Sequence, residues 1–248
     1  MEKAVLKKKF VFFGELHNDP IAHWLQYELM TSLYKAHGNN LIAGSEMYER
    51  DQQVFINQFL KGEIDTKHLI AATKLWSNFE TDYLPMLEYA KENSIPWIAT
   101  NTVRKYASLI YKKGRESLDS LSDDEKKLFA PSNFPVDLTL SQYNNLIKDF
   151  SHAGPNFVYA QAIKDATMGE SIVNAMKENS VFYHLNGSYH TDFYQGIMWY
   201  VNHYGNYDYK EMISISVVSQ DNFKKLNREY FGKADFIICT PETMTKTH

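Results

Sequence analysis

The sequence predicts an α/β fold, a mainly parallel sheet flanked by helices on both faces, with a helical or irregular insertion around residues 114–156. Two observations carry this. Short apolar runs rich in β-formers recur along the whole chain, and amphipathic stretches long enough to be helices separate them. Strands joined through helices pair in parallel, and the helices then cover both faces of the sheet.

The first strand is expected at 10–13, within VFFGELHNDP, where an apolar run stops at Gly14. A helix follows. Asp19 is placed to cap it, Pro20 fits its first turn, Ile21, Trp24, Leu25, Leu29, Leu33 and Ala36 form its apolar stripe, and Gly38 ends it. A second strand at 41–46 leads into helices near 49–60, 66–76 and 82–92. A third strand at 95–100 precedes a helix at 102–112. Residues 114–156 are less regular: a polar helix near 122–129, then Pro131, Pro135, Gly154 and Pro155, which reads as an insertion or lid. Beyond it come a helix at 157–178, a strand at 181–185, a helix at 191–203, a strand at 212–218, a helix at 221–230 and a last strand at 235–239. There are no repeats and no low-complexity tract.

Length and composition narrow the class. With 248 residues the simplest organisation is one α/β domain over 1–248. The net charge of −4 argues against a nucleic-acid binder. Cys239 is the only cysteine, which excludes a disulfide framework and a cysteine metal site. No run reaches membrane-spanning length and the chain opens without an apolar signal segment, so it is expected to be soluble as given. The 17 tyrosines suit a pocket for a flat apolar ligand.

Polar clusters sit just past four of the apolar runs: Gly14-Glu15-Leu16-His17, Ser45-Glu46-Met47-Tyr48, Thr100-Asn101-Thr102-Val103-Arg104 and Gly187-Ser188-Tyr189-His190. The carboxyl ends of parallel strands share one edge, where ligands bind, so the four clusters should converge on one crevice. Glu15, His17, Glu46 and His190 can then act as a catalytic acid–base set or as ligands of a divalent metal ion. Equally, Glu15 and His17 can satisfy helix ends, and Arg104 can pair structurally with Glu46. His184, inside an apolar run, reads as a hydrogen-bonded core histidine, and His23 as helix surface or support behind the site. Ser188 lacks the G-x-S-x-G context of a serine nucleophile, and no phosphate-binding glycine motif is present.

Taken together, GELHNDPIAHWLQYEL, EMYERDQQ, DYLPMLEYAKENSIPWIATNTVRKYASLI, AQAIKDATMGESI and NGSYHTDF resemble the ChaN-like family of haem-binding, iron-regulated proteins, in the family's order and from about residue 10 to about 240. That family is distantly similar to TraB/TIKI and erythromycin-esterase-like proteins with paired Gly-x-x-His motifs, here GELH and GSYH. The resemblance implies an α/β fold, haem binding and a part in haem or iron uptake or storage, alongside an outer-membrane haem uptake system. It also implies an exported protein, periplasmic or lipid-anchored, with a leader ahead of the present start. Gly14, Glu15, His17, Glu46, Gly187, His190, Arg104 and KDATM (164–168) match family positions. Position 48 is Tyr where many relatives carry Phe, so no ligand role is inherited there.

Haem needs an apolar slot and an axial donor. The donor candidates are Tyr83, Tyr189 and Tyr48, with His190 or His17 behind them, and Arg104 joins them as a cofactor-binding residue. Trp76, Phe79, Tyr83, Trp199 and Tyr200 are expected to wall the ligand, which a homodimer would share. The alternative is a hydrolase using the Glu/His cluster, with or without metal. A mere haem slot does not need two acids and two histidines at strand tips.

Overall fold

The computed structural model describes residues 1–149, 154–222 and 224–247. Within these a short helix α1 (Glu2–Val5) is followed by β1 (Phe10–Glu15), α2 (Pro20–His37), β2 (Leu41–Glu49), α3 (Gln53–Leu60), α4 (Thr66–Ala72), α5 (Leu84–Glu92) and β3 (Trp97–Asn101). Then come α6 (Arg104–Lys113), α7 (Asp123–Lys126), α8 (Ser141–Asp149), α9 (Pro155–Ala175), β4 (Val181–Gly187), α10 (Ile197–Gly205), β5 (Met212–Gln220) and β6 (Phe236–Pro241). The six strands form one sheet in the order β3-β2-β4-β1-β5-β6, and every pairing is parallel. The expected fold class is the observed one.

Strand periodicity explains the layers. Val11 and Phe13 point to one face of β1, where they pack with Leu29, Met30 and Leu33 of α2 and with α3 and α5. Phe10 and Phe12 point to the other, against Met168 and Ile172 of α9 and Ile197, Met198 and Val201 of α10. With both faces covered, β1, β2, β4 and β5 are buried along nearly their whole length, while the edge strand β6 is mostly half-buried. A third cluster joins α6 and α9 to Leu118, Phe129, Phe134, Tyr143 and Leu146, so the described part of 114–156 packs on the helices rather than on the sheet. Residues 150–153 of that segment, His152 among them, and His248 lie outside the described residues.

Local chemistry corrects several boundaries. Asp19 caps α2 through Oδ1, which accepts from the backbone of Ile21 and Ala22, as expected. The buried face of α2, however, carries Ala22, Gln26, Leu29, Met30 and Leu33, and Trp24 is 60% exposed. The helix expected at 191–203 breaks at Phe193, Tyr194 and Gly196, all with positive φ, and starts afresh at Ile197. Where a helix was expected at 221–230, the described residues form turns with a single 3₁₀ turn at Arg228–Tyr230. Asp208 and Ser122 cap short turns through capping boxes, so polar sequence there forms turns, not long helices.

One close approach matters for stability. A Cβ at Gly169 of α9 would lie 2.5 Å from Cβ of Tyr200 on α10. Gly169→Ala is therefore expected to cost about 1–3 kcal/mol by forcing the two helices apart, read as a lower urea midpoint with an unchanged m-value; an unshifted midpoint would show that the pair has room to relax.

Candidate functional site

The helix after β1 covers one face of the sheet and the one after β4 the other, and these strands are neighbours, with Glu15 opposite Gly187. A crevice opens at such a switch point. Here it is a cleft of about 550 Å³ lined by Glu15, His17, Glu46, Lys164, Ser188 and His190, among others. Glycine is needed on both tips. A Cβ on Gly14 would lie 2.8 Å from Cα of Ser188, and one on Gly187 would lie 2.8 Å from Nε2 of His17.

Two chains of hydrogen bonds run beneath the cleft. In the first, Tyr83 donates its hydroxyl to Oε1 of Glu15 at 2.6 Å, and Nδ1–H of His17 donates to the same oxygen at 2.9 Å. The other oxygen of Glu15 accepts from Gln26 at 2.6 Å. Tyr83 reaches it from a π-helical turn, Phe79–Tyr83, and its hydroxyl is held far above the ordinary tyrosine range by burial and by the Glu15 charge. His23, buried in α2, sends Nε2–H to the backbone carbonyl of His17 at 3.1 Å and lies 3.3 Å from Asp82.

In the second, Tyr143 donates to Oδ2 of Asp165 at 2.7 Å, and Nδ1–H of His190 donates to Oδ1 of Asp165 at 2.5 Å. Nε2 of His190 lies 3.2 Å from Oε1 of Glu46, whose other oxygen accepts the Gly187 N–H at 2.7 Å. Burial alone would discharge His190. The carboxylates of Glu46 and Asp165 outweigh it, and the imidazole is pushed up to about 10. Glu46 likewise resists burial through His190, His17 and the Gly187 N–H and stays below the usual carboxylate range. His17 is raised less: burial opposes its charge, Glu15 and Glu46 favour it and His190 opposes it.

The cleft thus holds a Tyr–carboxylate–His unit on each side of Gly187, with Glu46 bound to the second and close to the first. Glu15, His17, Glu46 and His190 are brought together. The second unit was only partly visible in sequence: Asp165 lies in KDATM but reads as one polar residue in an apolar helix, and Tyr143 lies in the irregular 114–156 segment. Gln26 and His23 share a helical face with α2's core residues, and that spacing was the signal available for them. His184 is a core histidine, discharged by burial to about 4, its ring held between Thr100 and Asn186.

Other expected roles change. Arg104 does not pair with Glu46, whose charge is met by His190; it is exposed at the start of α6, between a hollow with Glu49, Lys74 and Trp76 and a groove between α6 and α9. Tyr48 is buried in the core and Tyr83 is spent on Glu15, so neither hydroxyl faces a surface ligand. Phe79 and Tyr200 are core residues as well, while Trp76 and Trp199 are partly exposed. Tyr189 is half-buried and donates to the Gln142 carbonyl at 3.1 Å.

The divalent-metal role of Glu15, His17, Glu46 and His190 finds no support, since among the described residues no three such side chains are grouped to hold an ion. The physical reason lies at His190, both of whose nitrogens carry protons for carboxylates, whereas a metal needs imidazole lone pairs. No helix among the described residues is long and apolar enough to cross a membrane.

A family model described as haem-binding uptake, Tiki superfamily, ChaN, matches residues 1–201. Among solved structures, the chain is similar to one described as cofacial heme binding to ChaN of Campylobacter jejuni. The TM-score is 0.67 and the identity 16%, over 96% of this chain and 89% of that one. It is also similar to an erythromycin esterase, EreC, in its open conformation, with a TM-score of 0.53 and 10% identity over 88% of this chain and 72% of that one. Both likenesses are of fold. Protein RETICULATA-RELATED 5, chloroplastic, of Arabidopsis thaliana is 26% identical over 193 residues, 71% of this chain; the match spans about a quarter of that protein, 26% of its length.

Proposed function

This chain belongs to the ChaN family of haem-binding uptake proteins in the Tiki superfamily, and from that premise we propose that it binds haem beside the cleft and takes part in haem or iron uptake or storage. The observation that carries the reading is a surface fit for a flat, apolar, doubly anionic ring. The groove between α6 and α9 is lined by Ala107, Tyr111, Phe157 and Ala160, has Arg104 and Lys164 on its border, and shares Gln161 and Lys164 with the polar cleft. Tyr111 is 46% exposed, with Phe157 packed edge-on behind it. Apolar walls would hold the ring face, the two cations would meet the propionates, and Tyr111 or Tyr189 would offer an oxygen donor to the iron. Bound haem would supply an iron centre; the protein's part is to hold the ring and its carboxylates. On the same premise we place the protein outside the cytoplasm, periplasmic or lipid-anchored at the outer membrane, sharing haem across a homodimer.

A haem titration followed by absorbance tests the reading. Saturation at a fixed stoichiometry with a shifted Soret band is expected, and Ala160→Trp should weaken binding at least tenfold by filling the groove. Weak, unsaturable uptake by the parent would overturn haem binding. A monomer by ultracentrifugation with and without haem would overturn the sharing.

A second reading, acid–base hydrolysis in the cleft, is favoured by the two Tyr–carboxylate–His units, which a ring-binding surface does not require.

A further inference from the structure

We propose that residues 242–247 form a strap across the cleft edge of the sheet, with Thr247 as a positioning residue that ties the loop after β1 to the π-helical turn Phe79–Tyr83. The segment lies beyond residues 1–201, the stretch that the family model matches. It acts whichever ligand the cleft takes.

Topology brings the segment there. Every strand pairing is parallel, so β6 ends on the same edge as β1, two strands away, a gap of about 10 Å. The chain turns after β6, where the Pro241 carbonyl accepts the Met244 N–H at 3.1 Å, and returns to the loop after β1. There the Thr247 N–H donates to the Asn18 carbonyl at 3.1 Å, and Asn18 lines the cleft.

The side chains of this segment end on buried acids. Thr247 donates its hydroxyl to Oδ2 of Asp82 at 2.7 Å. Thr240, in β6, donates to Oδ2 of Asp19 at 2.7 Å, and Nζ of Lys246 lies 4.0 Å from the same oxygen. Asp19 and Asp82 are both buried, where each lost donor is costly. Asp82 is the hub. Its Oδ2 also accepts from Nδ2 of Asn78 at 2.6 Å and lies 3.3 Å from Nε2 of His23. Those two nitrogens in turn reach the His17 carbonyl, at 2.8 Å and 3.1 Å. Asp82 shares its turn with Tyr83, whose hydroxyl holds Glu15. One threonine therefore joins the loop after β1, the turn behind it and the end of the described chain.

The strap is also built to lift on its own. None of residues 242–247 is buried, so polar bonds rather than a buried side chain tie the segment down. A segment held this way opens at a small fraction of the global unfolding cost. When it lifts, Asp82 and the Asn18 carbonyl each lose a donor. The loop at 16–19 and the turn at 79–83 then loosen while the sheet beneath them stays whole, so the order of this side of the cleft follows the state of the strap.

Amide hydrogen exchange of the full chain, read by mass spectrometry, tests the strap. In Thr247→Val, peptides over 16–19 and 79–83 should exchange roughly tenfold faster, with β4 and α9 at the parental rate. Thr247→Ser keeps the hydroxyl and should match the parent. Thr247 is also removed from the folded parent by brief digestion with carboxypeptidase A, which halts at Lys246, and the trimmed chain should match Thr247→Val. Parental exchange at 16–19 and 79–83 in both Thr247→Val and the trimmed chain overturns the strap. Faster exchange spread evenly over the whole chain makes Thr247 an ordinary contributor to stability and overturns its positioning role. A Thr247→Ser chain as loose as Thr247→Val overturns the part given to the hydroxyl.

Discussion

Glu46→Ala should remove about 3–5 kcal/mol of folding stability, the range for breaking a buried ion pair by deleting one partner. The carboxylate is buried and makes two contacts that nothing else replaces: it accepts the Gly187 N–H at 2.7 Å and faces Nε2 of His190 at 3.2 Å. Alanine would strand a buried amide hydrogen at the tip of β4 and leave the His190 cation with Asp165 alone. Pairing with Asp165 is too little to hold the charge on both nitrogens, so the ring must shed a proton or admit water. Glu46→Gln keeps the shape and an acceptor oxygen, so its cost should be smaller, about 1–3 kcal/mol. At this size each kcal/mol moves Tm by roughly 2–4 °C, so the alanine variant should melt well below the parent. The double variant with His190→Ala should be much less destabilised than the two single losses summed, because each single change leaves the other partner exposed to the same defect. Strict additivity in urea denaturation would show that the pair is not coupled as its geometry requires.

What could be read from sequence depended on whether the signal was local. All six strands were legible as short apolar runs, most plainly where burial on both faces leaves a segment such as FVFF apolar throughout, and the Asp19-Pro20 start and Gly38 end of α2 are written in adjacent residues. The convergence of Glu15, His17, Glu46 and His190 followed from parallel topology alone, since parallel strands deliver their tips to one edge. Their partners were hidden by distance. Tyr83 is 68 residues from Glu15 and Tyr143 is 22 from Asp165, and neither spacing is periodic. Tyr83 therefore read as a ligand donor rather than as the hydroxyl holding Glu15. Arg104 looked like the natural partner of Glu46 by charge, but a histidine at the neighbouring strand's tip already fills that place. The helix expected at 221–230 failed because Gln220 draws the following residues into a turn through its side chain, accepting from the Asn227 backbone at 3.0 Å and donating to the carbonyl of Lys225.

Stability should also peak near pH 6.5 and decline on both sides, for two separate histidines. His190 keeps its proton in the fold up to about 10, whereas the unfolded chain releases it near 6.5. Between those values the native state binds more protons, so stability falls as pH rises; the contribution is whole below 6.5 and gone above about 10. At 1.36 kcal/mol per unit that is an upper bound of roughly 5 kcal/mol, which relaxation around the buried pair will reduce. His17, raised in the same direction, adds a smaller decline of the same sign. His184 works in the opposite sense. It is uncharged in the fold down to about 4, while the unfolded chain takes up a proton below 6.5, so stability falls as pH drops through that interval. Below about 4.5 the low pKa of Glu46 adds to the acid loss, because the unfolded carboxyl is protonated first. Buried tyrosines with raised values begin to matter only near pH 10, which sets the upper limit of a clean measurement. Urea denaturation at pH 5, 6.5, 8 and 9.5 should show the parent highest at 6.5 and His190→Gln markedly flatter between 6.5 and 9.5, with the acid limb retained. An alkaline limb as steep in His190→Gln as in the parent would mean that the imidazole between Glu46 and Asp165 carries no excess proton, and the charge assignment beneath the cleft would be wrong.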